Sequence, residues 1–381
     1  PMTVETVLTN ARVVARDDVI AGSVALCGGT LASVDEGKSA LSSAFDLEGD
    51  FLLPGLVELH TDNLEHHFVP RPGVRWPSLA ATLSHDNQVT AAGITTVFDA
   101  LFVGDIHVDS TRRRDLTDMA DTLGQAQDGG MLRAEHRLHV RCEVACETLT
   151  DLFKPFESHA LVGLISLMDH TPGQRQFQDI AHYRAYYKEK WHVSDTEIDA
   201  FIAHQDAVAG QVAWPNRKRI AAHCREHELP LASHDDATPE HVAEAKVLGV
   251  CLAEFPTTRV AAMAASEAGI NVIVGAPNLV RGESHSGNVS ARDLGRQGLV
   301  DILSSDYMPS GLLYGAFVLH SELGVDLASA VATVSRTPAR AVGLGDRGEI
   351  APRLAADLVR VRLVGDVPVV RSVWRRGVRV A

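Results

Sequence analysis

The stretch Leu53-Pro-Gly-Leu-Val-Glu-Leu-His-Thr-Asp-Asn-Leu-Glu65 runs an apolar strand straight into a His-x-Asp pair. Side chains two apart on an extended chain point the same way, so His60 and Asp62 can hold one cation together at the strand's carboxyl end. Similar apolar runs recur along the chain, and eight of them read as strands: 53–59, 94–101, 137–144, 161–168, 230–233, 250–255, 270–275 and 299–305. Helical patterns separate them. Thr238-Pro239 is a helix cap with proline at the first turn, and Gly249 ends that helix before the next strand. A second helix from about Thr258 stops at Gly269, and a third from about Val289 stops near Gly298. Eight β/α units in a row predict an α/β fold, a TIM-like (β/α)8 barrel, with its site at the carboxyl ends of the strands.

Working outward, residues 3–50 read as short strands with Gly28-Gly29 as a hairpin signal, and the chain after about 346 returns to the same pattern. The two ends, 1–52 and 346–381, are therefore expected to pair into one small β-sandwich domain. The barrel then occupies 53–345. The segment at about 175–228 is too long for one crossover and is expected to be a helical insertion.

The chain has 381 residues, enough for a large core. No apolar run is long enough to span a bilayer, and the N-terminus lacks a signal-like pattern, so the expected location is cytoplasmic with no membrane partner. Five cysteines, scattered and without a Cys-x-x-Cys, argue against a disulfide framework. A formal net charge of −14 argues against a nucleic-acid surface. It also means that an anionic substrate would need local positive partners. A homo-oligomer is left open.

The polar residues gather where strands end: His60 and Asp62 after the first, Asp99 after the second, Glu143 after the third, Asp169-His170 after the fourth, His234-Asp-Asp236 after the fifth, Glu254 after the sixth, Asp306 after the eighth. A hydrolytic site for one or two divalent ions needs histidine nitrogens, a carboxylate that can bridge, and a further carboxylate to take a proton from water. His60, Asp62, Glu143, His170, His234 and Asp306 supply those parts in order. Zinc suits such a set, as do manganese and iron. Glu143 lies in the apolar Val140-Arg-Cys-Glu-Val144, where an unpaired carboxylate would be costly, so a metal is the simpler account and Arg141 the competing one. The second ion could be completed by His170 or by Glu254.

In that order the chain resembles the amidohydrolase superfamily, with Asp62 in place of the commoner second histidine and Glu143 in place of a carboxylated lysine. Glu58-Leu-His-Thr-Asp-Asn-Leu-Glu65, Pro70-Arg-Pro72, Leu167-Met-Asp-His-Thr-Pro-Gly-Gln-Arg-Gln-Phe177, Ala232-Ser-His-Asp-Asp-Ala-Thr238, Gly275-Ala-Pro-Asn278 and Arg281-Gly-Glu-Ser-His-Ser-Gly-Asn288 are similar to the PhnM family. That is the amidohydrolase of the carbon–phosphorus lyase pathway of phosphonate metabolism. The resemblance implies cleavage of a phosphorylated sugar phosphonate, alpha-D-ribose 1-methylphosphonate 5-triphosphate, to the 5-phosphate and diphosphate by metal-activated water, with Asp306 taking the proton. An amide, a cyclic imide or another phosphoester is the alternative substrate on such a scaffold, and a metal-free structural subunit of a pathway complex is the alternative role.

The substrate's charges need arginine forks and backbone N–H groups. Three loops offer them: His66, His67, Arg71 and Arg75 after the first strand; Gln174 and Arg175 after the fourth; Asn278, Arg281, Ser284, His285 and Ser286 after the seventh, a glycine-rich run leading into a helix. His85 and His107 are further candidates for loops near the site. His182, His192, His204, His223, His227 and His241 lie in polar helical stretches and are expected to face solvent.

Overall fold

The computed structural model describes residues 6–104, 110–173, 175, 180, 184, 194–282 and 288–381. The early strands are β1 (Thr6–Val14), β2 (Val19–Cys27), β3 (Thr30–Glu36), β4 (Phe45–Asp46) and β5 (Phe51–Pro54). Next come β6 (Leu56–Thr61), β7 (Ile94–Val103), β8 (Glu135–Glu143), β9 (Val162–Met168), β10 (Leu231–His234), β11 (Leu252–Glu254), β12 (Asn271–Gly275) and β13 (Ile302–Ser304). These last eight form one sheet in chain order, and its pairings β6–β7, β8–β9, β9–β10, β10–β11 and β11–β12 are all parallel. A parallel bridge between Thr61 and Asp306 joins the first strand's end to the last. The fold is a (β/α)8 barrel, and the strand count expected from the sequence holds.

β14 (Leu358–Val364), β15 (Val367–Arg375) and β16 (Val378–Arg379) close the chain. They join the early strands in a second sheet of order β16-β15-β14-β5-β1-β2-β3, with β4 beside β1. This sheet is mostly antiparallel, but β4 and β5 run parallel to β1. Its core is Leu8, Val13, Val24, Leu26, Leu31, Leu52, Leu358 and Trp374, each at most 4% exposed. Removing this apolar area from water is what makes a short β segment at each chain end stable as one layer. The β2–β3 hairpin turns on Gly28 and Gly29, which sit at φ 59° and 84°. Both turn positions need the left-handed region, where only glycine is unstrained.

The chain divides into two compact units, residues 1–99, 121–137 and 274–381 in the first, and 100–120 and 138–273 in the second. The second contains the helix Asp195–Glu226, which starts in a capping box: the Ser194 hydroxyl accepts from the Glu197 N–H, and the Glu197 carboxylate accepts from Ser194. It covers most of the expected insertion. Thr238 and Thr258 cap the helices Pro239–Leu248 and Arg259–Glu267, as their sequence positions predict.

Candidate metal centre and active site

In the first unit, the ends of β6 and β13 are stitched together. Glu58, fully buried, accepts from the His60 N–H at 2.7 Å and the Ser305 N–H at 2.6 Å. The Ser304 hydroxyl donates to the His60 carbonyl at 2.6 Å, and the Asp306 carbonyl accepts from the Thr61 hydroxyl at 2.9 Å and the Asp62 N–H at 3.0 Å. Burial pushes the Glu58 carboxyl up to about 7, while its Ser305 and His60 donors pull the other way. The result places ligating atoms of His60, Asp62 and Asp306 within 4.8 Å of one another. His60 is buried, and Asp62 and Asp306 are half-exposed. One nitrogen and two carboxylate oxygens at that spacing are a donor set for a divalent ion.

Asp306 has φ 55°, in the left-handed region, with its N–H donated to the His60 carbonyl at 3.1 Å. In the second unit Asp235 (φ 55°) and Phe255 (φ 53°) do the same thing just past β10 and β11, donating to the carbonyls of Glu254 and Ile273 at 2.9 Å. A non-glycine residue in this region stores strain, and here the neighbouring strand's carbonyl holds each one. The backbone turns sharply while the hydrogen-bond ladder continues, which aims the side chain off the strand end.

In the second unit, Glu143 is 2% exposed and bonds His170 twice: Oε2 to the ring Nδ1 at 2.6 Å, and Oε1 to the backbone N–H at 3.2 Å. Burial pulls the His170 imidazole down, but the Glu143 carboxylate outweighs it and leaves the ring above its ordinary range. Phe102 stacks near this ring, at 6.0 Å between centroids. Gly104, at φ 140°, passes so close that an added Cβ would lie 2.4 Å from the Glu143 Cβ. His170, His234 and Asp235 bring ligating atoms within 4.8 Å of one another. Behind His234 stands Glu254, fixed opposite it by the β10–β11 register, with Oε2 at 3.2 Å from Nδ1. Its other oxygen lies 3.7 Å from His139 Nε2. A carboxylate behind a histidine fixes its tautomer and raises its basicity as a ligand.

All six residues expected to bind metal thus sit at or just past strand ends, and His170 follows the fourth barrel strand as the sequence count has it. Glu254 supports His234. Asp235, His139 and Glu58 were missed. Signals are present for two of them, since Glu58, His60 and Asp62 alternate along the chain and Asp235 directly follows His234 at a strand end; His139 carries no comparable mark.

Among the expected substrate contacts, His66, Arg71, Arg75 and Arg281 are exposed and His67 is half-buried. Asn278 instead ties its own loop, accepting from the Ala291 N–H and donating to the Val289 carbonyl. Arg175 corrects the expectation of an open anion ligand: it is 3% exposed, and its guanidinium pairs with Asp236 and Glu244. The buried Asp236 carboxylate and the half-buried Glu244 claim it before a substrate could. Gln174, Ser284, His285 and Ser286 lie outside the described residues, as do His107, His182 and His192. Of the histidines expected to face solvent, His204 and His227 do, while His223 and His241 are half-buried. His85 is wholly buried and lines no open loop.

His85 belongs to a charged network in the first unit's core. Asp99 Oδ1 meets His85 Nε2 at 2.5 Å, Asp99 Oδ2 meets His136 Nδ1 at 2.7 Å, and His136 Nε2 lies 3.3 Å from Asp86 Oδ1. Burial works against both charges, yet His85 and His136 hold the Asp99 carboxyl down to about 2, and Asp99 and Asp86 hold the His136 imidazole up at about 9. His136 ordinarily titrates near 6.5, so its contribution to stability is complete below that pH and is lost as pH rises through 9. We expect the unfolding free energy to fall by up to about 3 kcal/mol over this window. Urea unfolding at pH 6.5 and 9.5 measures it, and the same loss in His136→Gln would assign it elsewhere.

No family model matches the chain. It is 46% identical over 376 residues to the alpha-D-ribose 1-methylphosphonate 5-triphosphate diphosphatase of Escherichia coli (strain K12), covering 98% of this chain and 100% of that one. A solved amidohydrolase aligns with TM-score 0.64 at 16% identity, over 99% of each chain. The N-acetylglucosamine-6-phosphate deacetylase of Pasteurella multocida aligns with TM-score 0.64 at 12% identity, over 99% of this chain and 100% of that one. These structures share the fold. Given the identity to the E. coli enzyme across nearly the whole length, the chain belongs to the PhnM family.

Proposed function

We propose that the chain hydrolyses alpha-D-ribose 1-methylphosphonate 5-triphosphate to alpha-D-ribose 1-methylphosphonate 5-phosphate and diphosphate, in the cytoplasm, at a centre that holds one or two divalent ions. The observation that carries this reading is the 46% identity over 98% of the chain to a diphosphatase of that name. The donor chemistry supports the metal: imidazole nitrogens mixed with carboxylate oxygens suit zinc, and also manganese or iron. The ligand set is His60, Asp62, Glu143, His170, His234 and Asp306, with Asp235 added. A divalent ion bound there supplies Lewis acidity and offsets phosphoryl charge.

The other tasks fall to this chain's own groups. Asp306 accepts a proton from the attacking water, whose oxygen bonds to phosphorus as the bond to the diphosphate oxygen breaks. The strained backbone at Asp306 holds its carboxylate in place, so little reorganisation accompanies the transfer. Exposed His66, Arg71, Arg75 and Arg281 offset the triphosphate charge that a net charge of −14 would otherwise repel. The cytoplasmic assignment is supported by five free cysteines. No described helix is long and apolar enough to cross a membrane.

Phosphorus NMR of the metal-loaded enzyme with this triphosphate tests the reading. Diphosphate and the ribose 5-phosphate product should grow together. Release of single phosphate, or an untouched triphosphate beside hydrolysis of an amide or imide, would sink it.

A further inference from the structure

A chain of hydrogen bonds leads from the buried Asp99 to the half-buried His67. It runs through two helices, α1 (Asn63–Phe68) and α2 (Ser78–Ala91). The Asn63 amide nitrogen lies 2.9 Å from His85 Nδ1 and 3.0 Å from Gln88 Oε1, and that same Gln88 oxygen lies 2.8 Å from His67 Nε2. Asn63, His85 and Asp99 are at most 5% exposed.

The direction of every bond follows from chemistry. An amide nitrogen only donates, so His85 Nδ1 is an acceptor and the His85 proton sits on Nε2, donated to Asp99. An amide oxygen only accepts, so His67 must carry its proton on Nε2. Burial lowers the His67 pKa and outweighs the Gln88 oxygen, which favours the charged ring, so the neutral form prevails near pH 7. A neutral ring with its proton committed at Nε2 has a lone pair at Nδ1, and no described residue bonds that atom. A lone pair repels a phosphoryl oxygen and accepts from a hydroxyl.

We propose that the buried His85–Asp99 pair, acting through Asn63 and Gln88, is a positioning device that fixes His67 with its proton on Nε2, so that Nδ1 accepts a hydrogen bond from a hydroxyl of the substrate's sugar. This assigns His67 to sugar specificity and leaves the phosphates to the arginines. Only its substrate half rests on the triphosphate reading above; the proton's place on His67 does not.

Two measurements decide it. Nitrogen-15 NMR of the zinc-loaded enzyme, with His67 assigned from His67→Gln, should show the proton on Nε2. Gln88 is exposed, so its variants leave the core alone. Gln88→Glu keeps an acceptor and should keep that tautomer, whereas Gln88→Leu should give a mixture. His85→Phe should give the same mixture from further along the chain; if it does not fold, Gln88→Leu still decides. A proton on Nδ1 in the wild type, or an unchanged tautomer in Gln88→Leu, overturns the device.

The second measurement compares the ribose substrate with its 2-deoxy and 3-deoxy analogues. The wild type should disfavour one analogue about tenfold in kcat/KM, the worth of one hydrogen bond, through KM rather than kcat. In His67→Phe that preference should disappear. Equal discrimination in the variant, or a doubly protonated His67 in the substrate complex, overturns the hydroxyl assignment. If the wild type releases no diphosphate, the triphosphate reading fails while the tautomer result stands.

Discussion

Asp306→Asn is expected to lower turnover by about 10²–10⁴-fold, the range for loss of a positioned acid–base group, while leaving the bound metal near its wild-type amount. The substitution is nearly isosteric, and what fixes residue 306 is its backbone: its N–H to the His60 carbonyl, and its own carbonyl to Thr61 and Asp62. Asparagine also tolerates the left-handed φ of 55° better than most residues. The backbone should therefore stay in place. What changes is the side chain, which keeps one oxygen that can ligate but can no longer take a proton from water. Metal analysis and phosphorus NMR of the same preparation separate the two roles. Full metal with lost diphosphate release supports proton acceptance; lost metal makes Asp306 chiefly a ligand; unchanged release removes it from the reaction.

The parts of this protein that were legible in its sequence are those set by local chemistry. Thr238 and Thr258 announce helices because a hydroxyl before a helix satisfies an N–H there, whatever the rest of the fold does. Eight apolar runs gave the barrel its strand count, and a strand's carboxyl end is where a barrel's polar side chains can work. Parts that depend on register between strands were not legible. Glu254 supports His234 because the β10–β11 pairing sets the two side by side, twenty residues apart in sequence. His136 and Asp86 look like ordinary polar residues until the fold buries them against Asp99.

Arg175 shows the same limit from the other side. A guanidinium in a loop after a barrel strand reads as an anion ligand, and only the fold reveals that Asp236 and Glu244 occupy it. Composition does not distinguish a carboxylate partner within the chain from an anionic phosphoryl group that arrives with the substrate.

Glu143→Ala is expected to cost at least about 10³-fold in turnover together with bound metal, because it removes a proposed bridging ligand and the carboxylate that pairs with His170. A stability argument competes with this one: Glu143 is almost fully buried and bonded to His170 at 2.6 Å, so its loss could act through folding alone. Two further variants separate these accounts. Glu143→Gln keeps the volume and one oxygen, so folding should survive while metal affinity falls. Gly104→Ala leaves every ligand in the sequence but drives a methyl to within 2.4 Å of the Glu143 Cβ, and alanine is strained at φ 140°. Moving the carboxylate without deleting it should lower metal affinity by about 10–100-fold, the range for disturbing groups that orient a ligand. Metal titration of chelator-stripped protein, alongside a thermal melt, reads both quantities. If Glu143→Gln and Gly104→Ala bind metal as tightly as the wild type, Glu143 is a structural partner of His170 and not a ligand, and the centre must be completed by His170, His234 and Asp235 without it.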